Sequence, residues 1–484
     1  MIFKRACLNL FSLFTLICIL VVPAVVYAGP WQIQPFVETR IGYSDNIEFD
    51  DDDEEESGFI GQINPGVSIV KDQGRLQVNL NYVMQNFYYF DDSQHNADHN
   101  LDSVARYAII PNTFFLNGYA DITKVVVDND RQISVDNLNS TGNTTDETTL
   151  GIEPQWVQSL GSYAQADLAY LYAVQKFDDE TEEDGVEGDI DDNDRQRFLA
   201  SLQNADPDSD RLDWALRYRN EKVDFEDGDT FDFVTQLLEL GYQVTSRIEL
   251  VGSYGYEDND LGTITAVDDD DEDTFWTAGA VYNFGEFSFL EVRRGERFFG
   301  KTWFGNLVVG GPKLQVDATY EESTDLAVFD SIDTGLQSPT NALENDIDGS
   351  VTEDRDSVSI SKDWDVGIAY NVSKSTFLAS YVNEDQEFLD SADTEKFEAY
   401  EFGWIWQITG ASSLFTSVEF QEDNSVDLGV ETESEFFDFS VVYTRSLSPK
   451  TDFDVDYTYA EGEFDDGEED FTSNTISVGL VHRF

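Results

Sequence analysis

A chain of 484 residues with 98 acidic and 28 basic side chains carries a formal net charge of −70, which repels phosphate backbones and excludes nucleic acid as a partner. Two cysteines and three histidines leave little from which to build thiol redox chemistry, a cysteine metal centre or a histidine-based catalytic triad. The negative mean hydropathy does not exclude a membrane protein, because a barrel hides its lipid face at alternate positions.

The chain opens with Lys4 and Arg5, continues through an apolar run and reaches Val26-Tyr27-Ala28. This order predicts a secretory signal peptide over residues 1–28, cleaved after Ala28, with residues 29–484 as one domain. An uncleaved anchor is the alternative, which Pro23 and the small residues at the cleavage positions disfavour. Cys7 and Cys18 fall inside the removed segment, and no lipobox surrounds Cys18. Beyond it no apolar run is long enough to cross a bilayer as a helix.

From Trp31 onward the hydropathy alternates with period two, the pattern of strands with one apolar and one polar face. Trp31, Ile33, Val37, Ile41 and Tyr43 alternate with Gln32, Gln34, Glu38 and Arg40. Leu76, Val78, Leu80, Tyr82 and Met84 alternate with Gln77, Asn79, Asn81 and Gln85. The same reading holds for Leu212 to Tyr218, Ile248 to Tyr256, Trp276 to Phe284, Tyr400 to Ile408, Phe437 to Tyr443 and Phe453 to Tyr459. No segment past the signal shows a helical period.

Short connections at 71–74, 111–112, 160–161, 245–247, 310–313, 372–374, 409–411 and 446–450 alternate with long polar ones. The long ones lie at 45–57, near 128–147, at 178–194, near 321–356 and at 460–470. That rhythm predicts an all-β, antiparallel meander closed into a transmembrane barrel, with short periplasmic turns and long acidic extracellular loops. The count is about 22 strands, within a range of roughly 20–24. Trp31 begins the first strand directly after the signal, so no plug domain is expected. Aromatics recur at strand ends: Tyr43, Tyr88, Phe90, Tyr172 and Tyr459 toward the loops, and Trp31, Trp156, Phe284, Tyr443 and Phe484 toward the turns. Two aromatic girdles are the expected consequence.

Near the middle of the chain stands Arg297-Phe298-Phe299-Gly300, within residues 295–324. It resembles the Arg-(Tyr/Phe)-Phe-Gly core of the outer-membrane proteins associated with the PEP-CTERM/exosortase system. The opening strand, residues 37–49, is similar to the first strand of β-barrel porins linked to exopolysaccharide gene clusters. This chain departs from that pattern in its far more acidic loops and in having Leu307 to Gly311 where arginines are expected. The resemblance implies an outer-membrane barrel of a Gram-negative bacterium that makes exopolysaccharide. The chain ends on Ile476, Val478, Leu480 and Phe484 sharing one face, which resembles the assembly signal read by the barrel assembly machinery. His482 is the departure there.

By parity, Glu38, Arg40, Arg106, Asp167, Asp213, Arg217, Arg219, Asp317, Asp363, Asp365, Asp454 and Asp456 point inward. A polar, negatively inclined lumen favours cations; pairing of these charges across strands is the alternative. Asp50, Asp51, Asp52, Asp53, Asp189 and Asp191 are candidate ligands for loosely bound Ca²⁺ or Mg²⁺. None has EF-hand spacing, since Asp194 stands where that loop requires glycine. A solvated, cation-screened surface is the competing reading. His95 and His99 are read as solvated loop residues. No cofactor and no enzyme activity are expected. The expected partners are outer-membrane lipid and lipopolysaccharide, the assembly machinery and polysaccharide export components. The functional reading is a porin-like passive channel associated with surface export; a non-conducting scaffold barrel is the alternative.

Overall fold

The computed structural model describes residues 31–484 apart from 50–55, 91–94, 127–137, 139–143, 178–191, 206–210, 227–229, 261–271, 298, 327–357, 389–392, 428–429 and 465–469. The alternating stretches are strands, 22 among the described residues. First come β1 (Gln32–Ser44), β2 (Gly58–Lys71), β3 (Leu76–Tyr89), β4 (His95–Ile110) and β5 (Phe114–Val126). Then follow β6 (Thr144–Leu160), β7 (Ala164–Phe177), β8 (Asn193–Asn204), β9 (Leu212–Phe225), β10 (Thr230–Thr245) and β11 (Ile248–Asp260). The middle holds β12 (Glu272–Gly285), β13 (Ser288–Arg297), β14 (Gly300–Gly310), β15 (Leu314–Leu326) and β16 (Val358–Val372). Last are β17 (Ser375–Phe388), β18 (Thr394–Thr409), β19 (Ser412–Asp427), β20 (Val430–Ser448), β21 (Thr451–Phe464) and β22 (Phe471–Arg483). Strands and their connections account for all the described residues, so no plug domain is among them.

Each strand pairs antiparallel with the next, and β1 closes on β22 through Phe36–Ser44 against Thr475–Arg483. Closure removes the two edges that an open sheet would leave unpaired. On such a cylinder outward side chains splay apart and inward ones crowd. β22 shows both: Ile476, Val478 and Leu480 are 50, 40 and 39% exposed, whereas Ser473, Thr475 and Ser477 on the other parity are buried. The outward positions form an apolar belt. Tyr43, Tyr88, Phe90, Tyr172, Trp276, Trp303, Trp364 and Tyr400 are exposed toward the loops. Tyr242, Phe284, Phe287, Phe377, Trp406 and Phe484 are exposed toward the turns. An apolar belt between aromatic rings is the surface a bilayer requires. Leu76, Val78, Leu80, Tyr82 and Met84 of β3 share the outward parity of Tyr88.

The short turns owe their tightness to residues in the left-handed region. Gly74 and Gly161, with φ of +89° and +71°, close two of them, and Asn112 at +60° closes a third. Proline interrupts the ladders where it must, lacking an N–H. Around Pro65 the β2–β3 ladder is interrupted between Gln62↔Phe87 and Gly66↔Val83 and resumes in the same register. Asn86 fills the gap: its backbone N–H donates to Asn64 Oδ1 at 3.0 Å and its side-chain amide to the Ile63 carbonyl at 2.8 Å. Near Pro154 the β6–β7 ladder lapses likewise, between Ile152↔Tyr172 and Gln155↔Ala169.

Two expectations need correction. The strands run farther than hydropathy alone indicates: β6 begins at Thr144, β8 at Asn193, β15 reaches Leu326 and β21 reaches Phe464, inside segments read as loops. Apart from β13 and β14, the strands run to 12 to 19 residues, more than the ~9–11 that cross a bilayer. Their polar ends stay paired above the membrane, where solvated carboxylates cost little. His95 and His99 also lie on a strand, β4. His99 is half-buried on the outward face, with Nδ1 2.8 Å from the Tyr82 hydroxyl.

Candidate functional site

The inward parity of every strand builds one wall of a lumen, and all twelve sequence-predicted lumen residues stand on it. Their surroundings differ by sector. On β4–β7 the Arg106 guanidinium lies 4.0 Å from the Phe115 ring centre and donates to Gln155 Oε1 at 3.2 Å. Gln155 in turn donates to Asp167 at 2.9 Å. Three of these four strands are thus joined by one chain of polar contacts.

Across β8–β13 arginine alternates with glutamate. Arg195 and Arg219 both grip the buried Glu221; Arg217 meets Glu239 at 2.5 Å. Arg293 meets Glu291. Asp213 lies on the same inner face at the turn end of β9. Arg297 forks onto Glu257, with Nη2 at 2.8 Å and Nε at 3.4 Å from its two oxygens. That guanidinium also sits 5.7 Å from the Phe275 ring centre and 5.1 Å from that of Phe299. Glu257, 1% exposed, is the anchor. So Arg297, Phe299 and Gly300 of the motif stand at the β13–β14 hairpin tip, with Gly300 at φ +121° making the reversal. Phe298 itself lies outside the described residues.

β15–β21 present the opposite character. Asp317 and Glu321, Asp363 and Asp365, Glu384, Glu401, Glu419, Asp438, and Asp452, Asp454 and Asp456 occupy inward positions. Among the described residues no lysine or arginine stands at an inward position of these seven strands. Asp317 accepts from the Gln315 amide at 3.1 Å and Asp363 from the Ser361 hydroxyl. Among the described residues, basic groups reach this wall from its border. Arg40 of β1 contacts Asp454 and Asp456, and Arg483 of β22 contacts Asp452. Glu38, one inward step from Arg40, adds another carboxylate there. Charge pairing, weighed as an alternative to selectivity, therefore holds on one wall and not on the other.

The mouth of the lumen is narrowed by two apolar knobs. Phe49, from the β1–β2 connection, stacks on Phe471 with ring centres 4.5 Å apart and joins Phe436, Phe464 and Ala460. Leu138, from the β5–β6 connection, is 2% exposed and packs on Ile60 and Phe87. Asn46 supports the first knob: its side-chain amide donates to the Thr472 carbonyl at 3.1 Å, and its own carbonyl accepts from Ser473 Oγ at 3.0 Å. The six carboxylates singled out for Ca²⁺ or Mg²⁺, Asp50 to Asp53, Asp189 and Asp191, lie outside the described residues. No group of three potential metal ligands occurs among the described ones.

Several solved structures are similar to this chain. The crystal structure of the siderophore receptor PirA from Acinetobacter baumannii superposes with a TM-score of 0.52 at 8% identity, over 94% of this chain and 80% of that one. A BenF-like porin from Pseudomonas fluorescens gives 0.39 at 9% identity, over 94% and 99%. The outer-membrane protein OpdK from Pseudomonas aeruginosa gives 0.38 at 9%, over the same shares. No protein-family model matches, and no relative among curated proteins is detected by sequence. The first of these likenesses carries the fold, a large closed β-barrel, and the fold alone.

Sequence reasoning missed Arg195, Arg197, Glu221, Arg293 and Glu257. Arg195 and Arg197 were hidden because β8 starts directly after an acidic run. It also missed Phe49 and Leu138, which nothing local singles out: Ile47 shares the connection with Phe49, and Ile133 and Val135 share that of Leu138.

Proposed function

We propose that this barrel is a porin-like outer-membrane pore that passes small solutes passively and favours cations. The observation that carries this reading is the inner wall of β15–β21, rich in carboxylates and devoid of inward basic residues. A negative wall in a low-dielectric cylinder raises the local concentration of cations and lowers that of anions. The paired arginine–glutamate wall opposite contributes polarity with little net charge.

The finer part of the proposal is a place in surface export in an exopolysaccharide-producing Gram-negative bacterium. The resemblance of Arg297-Phe298-Phe299-Gly300 supports it. Insertion by the barrel assembly machinery, guided by the outward face of Ile476, Val478, Leu480 and Phe484, belongs to the same proposal. So does contact with lipopolysaccharide through cations screening the acidic loops. A non-conducting scaffold is the second reading, favoured by the knobs Phe49 and Leu138 at the mouth.

Purified protein in planar bilayers under a KCl gradient separates these readings. A stepwise conductance with a reversal potential of the cation-selective sign is expected. A folded barrel without conductance would leave the scaffold, and a reversal potential of anion sign would remove the role given to β15–β21. Loss of secreted polysaccharide on deletion of the gene is the outcome expected of the export assignment.

A further inference from the structure

Between β14 and β15 the wall parts. Their ladder runs only from Gly310↔Gln315 at the turn to Gly305↔Tyr320. β14 continues to Gly300, paired with β13, and β15 continues to Leu326, paired with β16. Beyond Gly305 and Tyr320 these two strands share no register. One side-chain bond spans the parting, from Thr302 Oγ1 to the Glu322 carbonyl at 3.3 Å. A Cβ at Gly305 would find only Tyr320, at 4.0 Å, and one at Gly300 nothing within 4 Å. The β4–β5 ladder also stops short, at Leu101↔Ile122, but there the Lys124–Asp98 ion pair of 2.9 Å bridges the strands.

The height of the parting sets its use. Outward Trp303 and Tyr320, at its lower end, belong to the loop-side aromatic ring, which marks the headgroup boundary. Just above them the outward face turns polar, with Glu296 opposite Lys301 in register and Glu322 alongside. A sheet edge without a ladder partner is excluded from hydrocarbon but is tolerated where water reaches it. The β13–β14 hairpin is also where the wall is lowest, β13 being the shortest strand at 10 residues. The parting therefore lies at the height of the headgroup layer of the outer leaflet.

We propose that it is a side port for amphiphiles, with the apolar tail in the outer leaflet and the polar head in the lumen. The inner mouth selects the head. Glu321 faces Asp363 in register, whereas the nearby Arg297 is engaged by Glu257. A neutral or cationic head is favoured and an anionic one repelled. Axial passage of soluble solutes is a separate property, so either can stand without the other.

Ser323→Cys and, as a second reporter, Glu321→Cys place a thiol on the inner wall beside the parting. Thr458→Cys on β21 places one on the inner wall far from it. Each is made in a Cys7→Ser/Cys18→Ser background, folded into vesicles and exposed to a diacylglycerol carrying maleimide on an uncharged headgroup, then to a soluble maleimide. The expected result is labelling of Ser323→Cys or Glu321→Cys by the lipid reagent at least about tenfold faster than of Thr458→Cys, with similar rates for the soluble one. Equal lipid labelling at all positions means entry over the rim and overturns the port. So does a lack of lipid labelling beside the parting, or shielding of both reporters in a dimer joined through β13–β15.

Discussion

Arg40 of β1 reaches past β22 to Asp454 of β21, with Nη2 2.9 Å from the carboxylate. The same guanidinium contacts Asp456 and donates to Ser477 Oγ at 2.8 Å. One side chain thus ties the strand that opens the sheet to the two that close it. Gly479 permits the crossing, since a Cβ there would stand 2.3 Å from Asp454 Oδ2.

Arg40→Ala leaves two neighbouring carboxylates facing each other without their cation. A loss of about 1–3 kcal/mol is expected, the cost of removing one partner from a charged hydrogen-bonded group. Denaturant titration of the barrel in detergent measures it. Gly479→Ala should displace Asp454 and cost a similar amount, and the double variant should fall short of the sum because both act on one contact. Full additivity would show that the crossing is incidental.

Neutralising Asp363, Asp365, Glu384 and Glu401 to their amides removes four charges from the acidic wall. The reversal potential in a salt gradient should move toward zero. The matched control Arg217→Gln with Glu239→Gln removes a pair 2.5 Å apart and should leave it in place. Equal shifts from both variants would mean that the two walls do not differ in their effect on ions.

Phe49→Ala and Leu138→Ala each remove a buried knob at the mouth. Loss of such a side chain typically costs roughly 2–5 kcal/mol, here drawn from the docking of a connection rather than from the ladders. Limited proteolysis should cut within 45–57 or 127–143 faster while the barrel itself remains intact. Single-channel conductance should rise. Unchanged cleavage would mean that the knobs do not hold these connections.

Arg297→Lys keeps the charge and loses both the fork onto Glu257 and the flat contact with Phe275 and Phe299. A local loss of about 1–2 kcal/mol is expected, read as faster amide exchange in residues 293–303. Exchange that stays at the native rate would assign the motif a role other than holding the hairpin tip.

Much of this was legible because a bilayer imposes period two on both faces at once. In β3 alternation alone separates Leu76, Val78 and Leu80 from Gln77, Asn79 and Asn81, and the strand lies where that pattern places it. The rule fails where the outer face leaves the hydrocarbon. Above the ring both parities become polar, so the ends of β6, β8, β15 and β21 look like loop, and His99 with them. The candidate site was legible by parity but not by pairing. That Arg297 meets Glu257, forty positions earlier, depends on the register of intervening hairpins, which no local pattern encodes. Phe49 and Leu138 are tertiary choices of the same kind.

The paired sheet continues past the loop-side ring by several residues on most strands, each adding ~2.5 Å of height at the usual tilt. The cylinder therefore stands proud of the bilayer like a chimney. Whatever arrives from the loop side meets an acidic parapet before any lipid, and among the described strands that parapet dips toward the membrane at β13–β14.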